Sequence, residues 1–114
     1  MEKKCKSFET VKFQMELLMN VMDWGHYPFT RLIIQRGLSP SEYRELIDMV
    51  RDLNEKYRSQ KKEGMLDFTS LLVQFAGMLH EKLDPNETIQ AMKTEQVFPE
   101  LMGEFLAILE REEN

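Results

Sequence analysis

The sequence has one cysteine, Cys5, in 114 residues, so no internal disulfide framework holds this chain. It has two histidines, His26 and His80, where a zinc site asks for three or four ligands. No apolar run approaches the roughly 20 residues of a membrane-spanning helix, and no secretory leader is visible near the start. With a lone thiol, which stays reduced in the cytosol, the expectation is a cytoplasmic protein with no membrane partner. Basic charge is also short. Fifteen Lys and Arg against twenty Asp and Glu leave a net charge of −5, the wrong sign for a general nucleic-acid binder, which needs a basic face to displace counterions from phosphate. A glycine-rich phosphate loop, a nucleophile elbow, a His-Glu-x-x-His pair and an acidic calcium loop are all missing. Apolar–polar alternation and Asn-Gly or Asp-Gly hairpin turns are absent too.

What remains is a helical chain. Hydrophobic residues make up 42% of it, enough for a core in one domain of residues 1–114, with residues 1–6 expected as a flexible tail. The five glycines and four prolines fall mostly where a helix would start or stop. The fold class expected is all-α, a compact multi-helix bundle of about five to six helices, two of them short.

The boundaries follow from capping chemistry. A first helix is expected over Ser7–Asp23, with Ser7 as N-cap. Gly25 suits a left-handed residue after its end, and Pro28 the first turn of a short helix ending at Gly37. Ser39-Pro40-Ser41-Glu42 reads as cap, N1 proline and capping-box glutamate, opening a long helix to about Gln60 whose stripe runs Tyr43, Leu46, Ile47, Val50, Leu53, Tyr57. On its wet side Arg44–Asp48, Arg51–Glu55 and Asp52–Lys56 have i,i+4 spacing. Asp67 is the expected cap of a fourth helix carrying Phe68, Leu71, Leu72, Phe75, Met78, Leu79 and Leu83. Inside it, Ala76-Gly77 lowers helix propensity, as a small pair does where another helix packs closely. Asp84-Pro85-Asn86-Glu87 repeats the capping pattern for a short helix with Ile89 and Met92 inward. A last helix starts near Phe98-Pro99.

The first helix carries two apolar rows. Phe8, Val11, Met15, Leu18 and Met22 alternate spacings of three and four, a coiled-coil-like seam. Phe13, Leu17 and Val21 follow at spacing four on another side. A helix with two such rows is buried on more than one face. One row can pack on the chain's own later helices; the other then calls for a second chain.

Tyr27-Pro28-Phe29, Gly37-Leu38-Ser39, Phe75-Ala76-Gly77 and Glu81-Lys82-Leu83-Asp84 followed by Glu87-Thr88-Ile89 give the chain a family resemblance. From about Trp24 to Leu109 it resembles the YhaI-like family, small uncharacterised all-helical proteins of Gram-positive bacilli. The resemblance implies an all-α bundle and a cytoplasmic protein. It implies no activity and carries over no functional residue.

Few residues invite chemistry. His80, Glu81, Asp84 and Glu87 form the one local metal-capable cluster, but capping explains the acids and an exposed histidine is the simpler reading. His26 beside Trp24 and Tyr27 could serve as a base or ligand contact in an aromatic pocket; a loop histidine among aromatics that plug a gap between helices is favoured. Cys5, between Lys4 and Lys6, has a setting that lowers a thiol's pKa, yet no base or orienting residue stands near it in sequence. The basic runs Lys3-Lys4-Cys5-Lys6 and Arg58-Ser59-Gln60-Lys61-Lys62 read as a solvated tail and a dipole-complementing helix end. Nine methionines suit either a repacking surface or ordinary gap-filling, the latter preferred.

The reading is therefore of a non-enzymatic, self-associating helical protein, a protein-interaction or small regulatory module. It has no catalytic, cofactor or metal residues. Its oligomer interface is placed on Phe8, Val11, Phe13, Met15, Leu17, Leu18, Val21 and Met22, with another protein as the alternative cover for that surface. Two rival functions are a nucleic-acid-associated regulator using Arg58, Lys61 and Lys62, and a small-ligand binder or enzyme with a site near Trp24, His26 and Tyr27.

Overall fold

The structure, a computed structural model, describes the backbone of residues 3–113 and the side chains of 7–112. Six helices follow one another: α1 Lys3–Val21, α2 Pro28–Arg36, α3 Pro40–Lys62, α4 Thr69–Met78, α5 Pro85–Glu95 and α6 Pro99–Glu113, with a one-turn 3₁₀ helix, Trp24–His26, between α1 and α2. The all-α bundle that the sequence predicts is what the chain forms. Its prolines Pro28, Pro40 and Pro85 stand in the first turns of α2, α3 and α5, where the missing N–H costs nothing.

The two proline-led caps are present. Ser39 Oγ accepts from the Glu42 amide at 3.2 Å while Glu42 Oε1 accepts from the Ser39 amide at 2.9 Å, a reciprocal box. Asp84 Oδ2 accepts from the Glu87 amide at 2.9 Å. Gly37 ends α2 in the left-handed region at φ 70°. Gln96 takes the same conformation after α5 at φ 67°, and Phe98 follows at φ 50°, so the tight α5–α6 corner rests on two non-glycine residues in a region costing about 1–2 kcal/mol each.

Several local expectations are corrected. Ser7 is not a cap: the α1 backbone is already helical from Lys3, and the remainder of the tail expected over residues 1–6 lies outside the described residues. Gly25 sits in the 3₁₀ turn and is not among the residues of positive φ; there Asp23 Oδ1 accepts from the Gly25 amide at 3.0 Å. α3 runs two residues past Gln60, and on its wet side Arg51 pairs with Asp48, at i,i+3, at 2.9 Å. Asp67 does bind the start of α4, through the Thr69 amide and hydroxyl, but Phe68 holds the cap position itself. α4 stops at Met78 because Leu79 is extended, which makes it a third short helix.

α5 packs against both α2 and α6, and α4 against α3 and α6. α2 and α5 run antiparallel, tied at both ends. Arg36 meets Glu87 at 2.9 Å. At the other end Glu95 accepts from the Thr30 amide at 2.8 Å and its hydroxyl at 2.6 Å. That carboxylate does for the α2 N-terminus what Tyr27, which makes no side-chain cap bond, does not. The core gathers Phe29 and Leu32 of α2, Leu46, Val50, Leu53 and Tyr57 of α3, Phe68, Leu71 and Phe75 at α4, Ile89 and Met92 of α5, and Leu101, Met102, Phe105 and Ile108 of α6. Phe75 and Phe105 meet with ring centroids 5.5 Å apart. Each such side chain contributes about 1.5–3 kcal/mol on leaving water.

None of the described side chains of α1 belongs to this core. The helix has no substantial packing contact with another element, and the molecule is drawn out to 61 × 25 × 21 Å. The radius of gyration, 17.2 Å, exceeds the about 13 Å of a compact domain near this length.

Candidate functional site

α1 has 19 residues and is therefore about 28 Å long. Its C-terminal end is fastened by Trp24, whose indole N–H donates to the Met19 carbonyl at 2.8 Å. All eight side chains assigned to the interface are exposed, from 42% for Met15 to 78% for Val21. This leaves several large apolar side chains in water on one helix, where an ordinary monomer exposes at most roughly 300–600 Å² in its largest patch. The expectation that one row would pack on the chain's own later helices is not met: Phe8, Val11, Met15, Leu18 and Met22 are exposed, and so are Phe13, Leu17 and Val21. The reason is topological. The 3₁₀ turn carries the chain from α1 directly into α2, whose packing partner is α5, so α1 is left pointing away from the bundle.

The charge on α1 is confined to one side. Between Phe8 and Met22 the charged residues are Glu9, Lys12 and Glu16, which at about 100° per residue fall within a strip of roughly 60°. The apolar residues, running from Phe13 round to Met19, span about 240°, with only the uncharged Thr10 and Gln14 among them. A helix on the surface of a domain ordinarily buries a stripe of about 100°. α1 presents more than twice that.

The metal-capable residues are drawn into structural bonds. Glu42 Oε1 accepts from the Ser39 amide and from Lys82 Nζ, both at 2.9 Å, and Glu42 Oε2 meets His80 Nε2 at 3.1 Å. The Ser39 amide first, and then Lys82, hold the Glu42 carboxyl down at about 2, below the usual 4.5. His80 Nδ1 accepts from the Lys82 amide at 3.1 Å, which turns Nε2 toward Glu42. Lys82 Nζ also donates to the Gly37 carbonyl at 3.1 Å. Nδ1 of His80 is engaged by the Lys82 amide and Nε2 lies against Glu42 Oε2, while Glu42 Oε1 is taken by the Ser39 amide and Lys82. The arrangement clamps the α2–α3 turn to the α4–α5 loop. A small cavity of about 80 Å³ lies beside it, lined by Glu42, Glu45, Leu46, Met49, Met78 and His80. Asp84 is spent on its cap and Glu87 on Arg36, and Glu81 is exposed. Among the described residues no group of three metal-capable side chains converges.

The rival sites are placed as follows. His26 and Tyr27 are exposed and Trp24 is half-buried. Arg58, Lys61 and Lys62 do share an open cleft of about 390 Å³ with Tyr57 and Glu100. Lys61 Nζ lies 5.5 Å above the Tyr57 ring and Glu100 puts a carboxylate among the cations. The Cys5 thiol and the Lys3, Lys4 and Lys6 amines lie outside the described side chains.

Sequence reasoning missed the bundle's own exposed face. On α4, Ser70, Val73, Ala76, Gly77 and Met78 are exposed, and a Cβ added at Gly77 would meet nothing within 4 Å. The close helix expected at Gly77 is not met among the described residues: the position is exposed and open. The signal was available: no charged residue occurs from Phe68 to Leu79, which a helix with a solvated face would carry. No described helix is long and apolar enough to cross a membrane.

The chain belongs to the family described as "Protein of unknown function (DUF1878)", whose model matches residues 1–110.

Proposed function

We propose that this protein is a non-enzymatic, cytoplasmic helical module that works as a homo-oligomer, assembled through α1. Within its family we place it with the YhaI-like proteins of Gram-positive bacilli, on the motifs from Tyr27 to Ile89. One observation carries the functional reading: α1 holds seven large apolar side chains in water, Met22 just past its end is an eighth, and none of them enters the core. A standard protein–protein interface removes on the order of 800 Å² from water on each side. At about 25 cal/mol per Å² of apolar surface covered, burial of these side chains drives association, against the lost freedom of the partners. A second copy is the simplest cover, because it brings the same unsatisfied helix. A different protein in that place is the alternative outcome of the test.

Sedimentation equilibrium at micromolar concentration decides the matter. The expected mass is a multiple of 13.6 kDa; a single-chain mass overturns the reading. Leu17→Glu and Leu18→Glu, made separately, should each leave a folded bundle, since neither residue is in its core. Each should lower the assembly's stability by at least roughly tenfold in Kd, a charge being costly on a desolvated helix face.

A further inference from the structure

The two apolar rows of α1 differ in spacing, and helix packing gives that difference a meaning. Met15, Leu18 and Met22, with Phe8 and Val11, alternate three and four, the seam along which two helices lie nearly parallel at about 20°. Phe13, Leu17 and Val21 form an unbroken i+4 ridge, which packs into the i+4 groove of another helix at about −50°. One mate helix cannot receive both, because about 240° of the α1 circumference is apolar and a single neighbour covers roughly 100° of it. The assembly must therefore offer α1 a second surface. The bundle has one of matching character. Thr69, Val73 and Gly77 form an i+4 row on α4, Val73 is 64% exposed, and Leu66 just before the helix is 89% exposed. With no charge from Phe68 to Leu79 and open space over Gly77, this face admits a helix at close range without burying an unpaired charge.

We propose that the Phe13–Leu17–Val21 ridge of each chain docks on the outer face of α4 in a second copy, across Val73 and Gly77, while the Phe8–Met22 seam pairs with the other copy's α1. The exchange is reciprocal, so the assembly closes; a two-fold dimer with α1 and α4 of both chains at its centre is the smallest such form. The occupant is a second copy because each chain carries both halves of the contact, the ridge on α1 and the seat on α4, and leaves both empty. This rests on the homo-oligomer reading above and specifies what that reading leaves open.

Gly77→Leu separates the two. Within a single chain it meets open space and improves helix propensity, so the bundle should melt no lower than the parent when both are made monomeric by Leu18→Glu. In the assembly it overfills the seat, and Kd should rise by roughly tenfold or more. A second measurement needs no tolerance of bulk. Two variants, Cys5→Ser/Leu17→Cys and Cys5→Ser/Ala76→Cys, carry different affinity tags and are mixed and oxidised. A disulfide-linked heterodimer containing both tags is expected. If the parent is oligomeric, yet Gly77→Leu leaves Kd unchanged and no mixed disulfide forms, the α4 seat is wrong while self-association stands. If the triple variant Cys5→Ser/Leu17→Cys/Ala76→Cys closes its bridge within one chain, α1 folds back on its own α4 and the exchange is overturned. A parent of single-chain mass removes both readings.

Discussion

Glu42 is the residue on which most local order converges. It closes the cap of α3 and receives Lys82 and His80 from the far side of the α4–α5 loop. Its carboxyl sits at about 2 when folded, against an ordinary 4.5. A depressed carboxyl stabilises the fold fully above its unfolded value and loses that contribution as pH falls toward the folded one. The stability difference between the parent and Glu42→Gln should therefore shrink as pH falls from about 4.5 toward 2, as followed by urea melts across that range. Thr88 shows the opposite condition. It is fully buried and its hydroxyl has no hydrogen-bond partner among the described residues. Thr88→Val replaces an unsatisfied group with a methyl of the same shape and should raise stability by about 1 kcal/mol; a loss measured by thermal or urea melts would show that the hydroxyl is bonded in solution. The cap roles of Ser39, Glu42 and Asp84 were legible in the sequence because they lie within three residues of one another. The Glu42–Lys82 bond, 40 residues apart, was not, because spacing along a chain reports only what a helix brings together.

At the scale of elements, the long stripe from Tyr43 to Tyr57 located α3 well, since burial follows the 3.6-residue period wherever one face meets the core. The fourth stripe overshot: Leu83 is buried like Phe75 yet lies beyond the end of α4, reaching the core from a loop whose position is set by Lys82 and His80. α2 was placed correctly by Pro28 and Gly37, but nothing adjacent in sequence satisfies its first amides. Glu95 does so from the last turn of α5, 65 residues away. Glu95→Ala should cost about 1–2 kcal/mol, as loss of a charged N-cap does. Glu95→Gln should recover part of it, because an amide oxygen still accepts from Thr30 without complementing the dipole. Equal losses in the two variants would mean that charge carries the whole effect.

At the scale of the whole molecule, the apolar surplus of α1 was readable and its destination was not. Two rows on one helix announce two burials. The sequence alone left open whether the chain itself or another supplies them, because Trp24-Gly25-His26 marks a break without fixing the direction in which the chain leaves it. α1 should therefore be ordered by association. Amides of residues 8–21 should be protected from hydrogen exchange at micromolar concentration and exchange far faster in the Leu18→Glu variant, while protection of the α3 and α6 amides stays unchanged. Equal protection in α1 for the two proteins would place its burial inside one chain.

The separation of α1 from the bundle also fixes the order in which the protein can form. The chain from Pro28 onward holds every core residue among the described ones, so it can collapse in a first-order step whose rate is blind to dilution. α1 joins nothing in that step. A helix of this length is marginal by itself in water, and its consolidation waits for a collision between chains, a second-order event whose half-time lengthens as the protein is diluted. Newly made chains would thus pass through a folded but uncovered form, with a lifetime set by the abundance of their own kind.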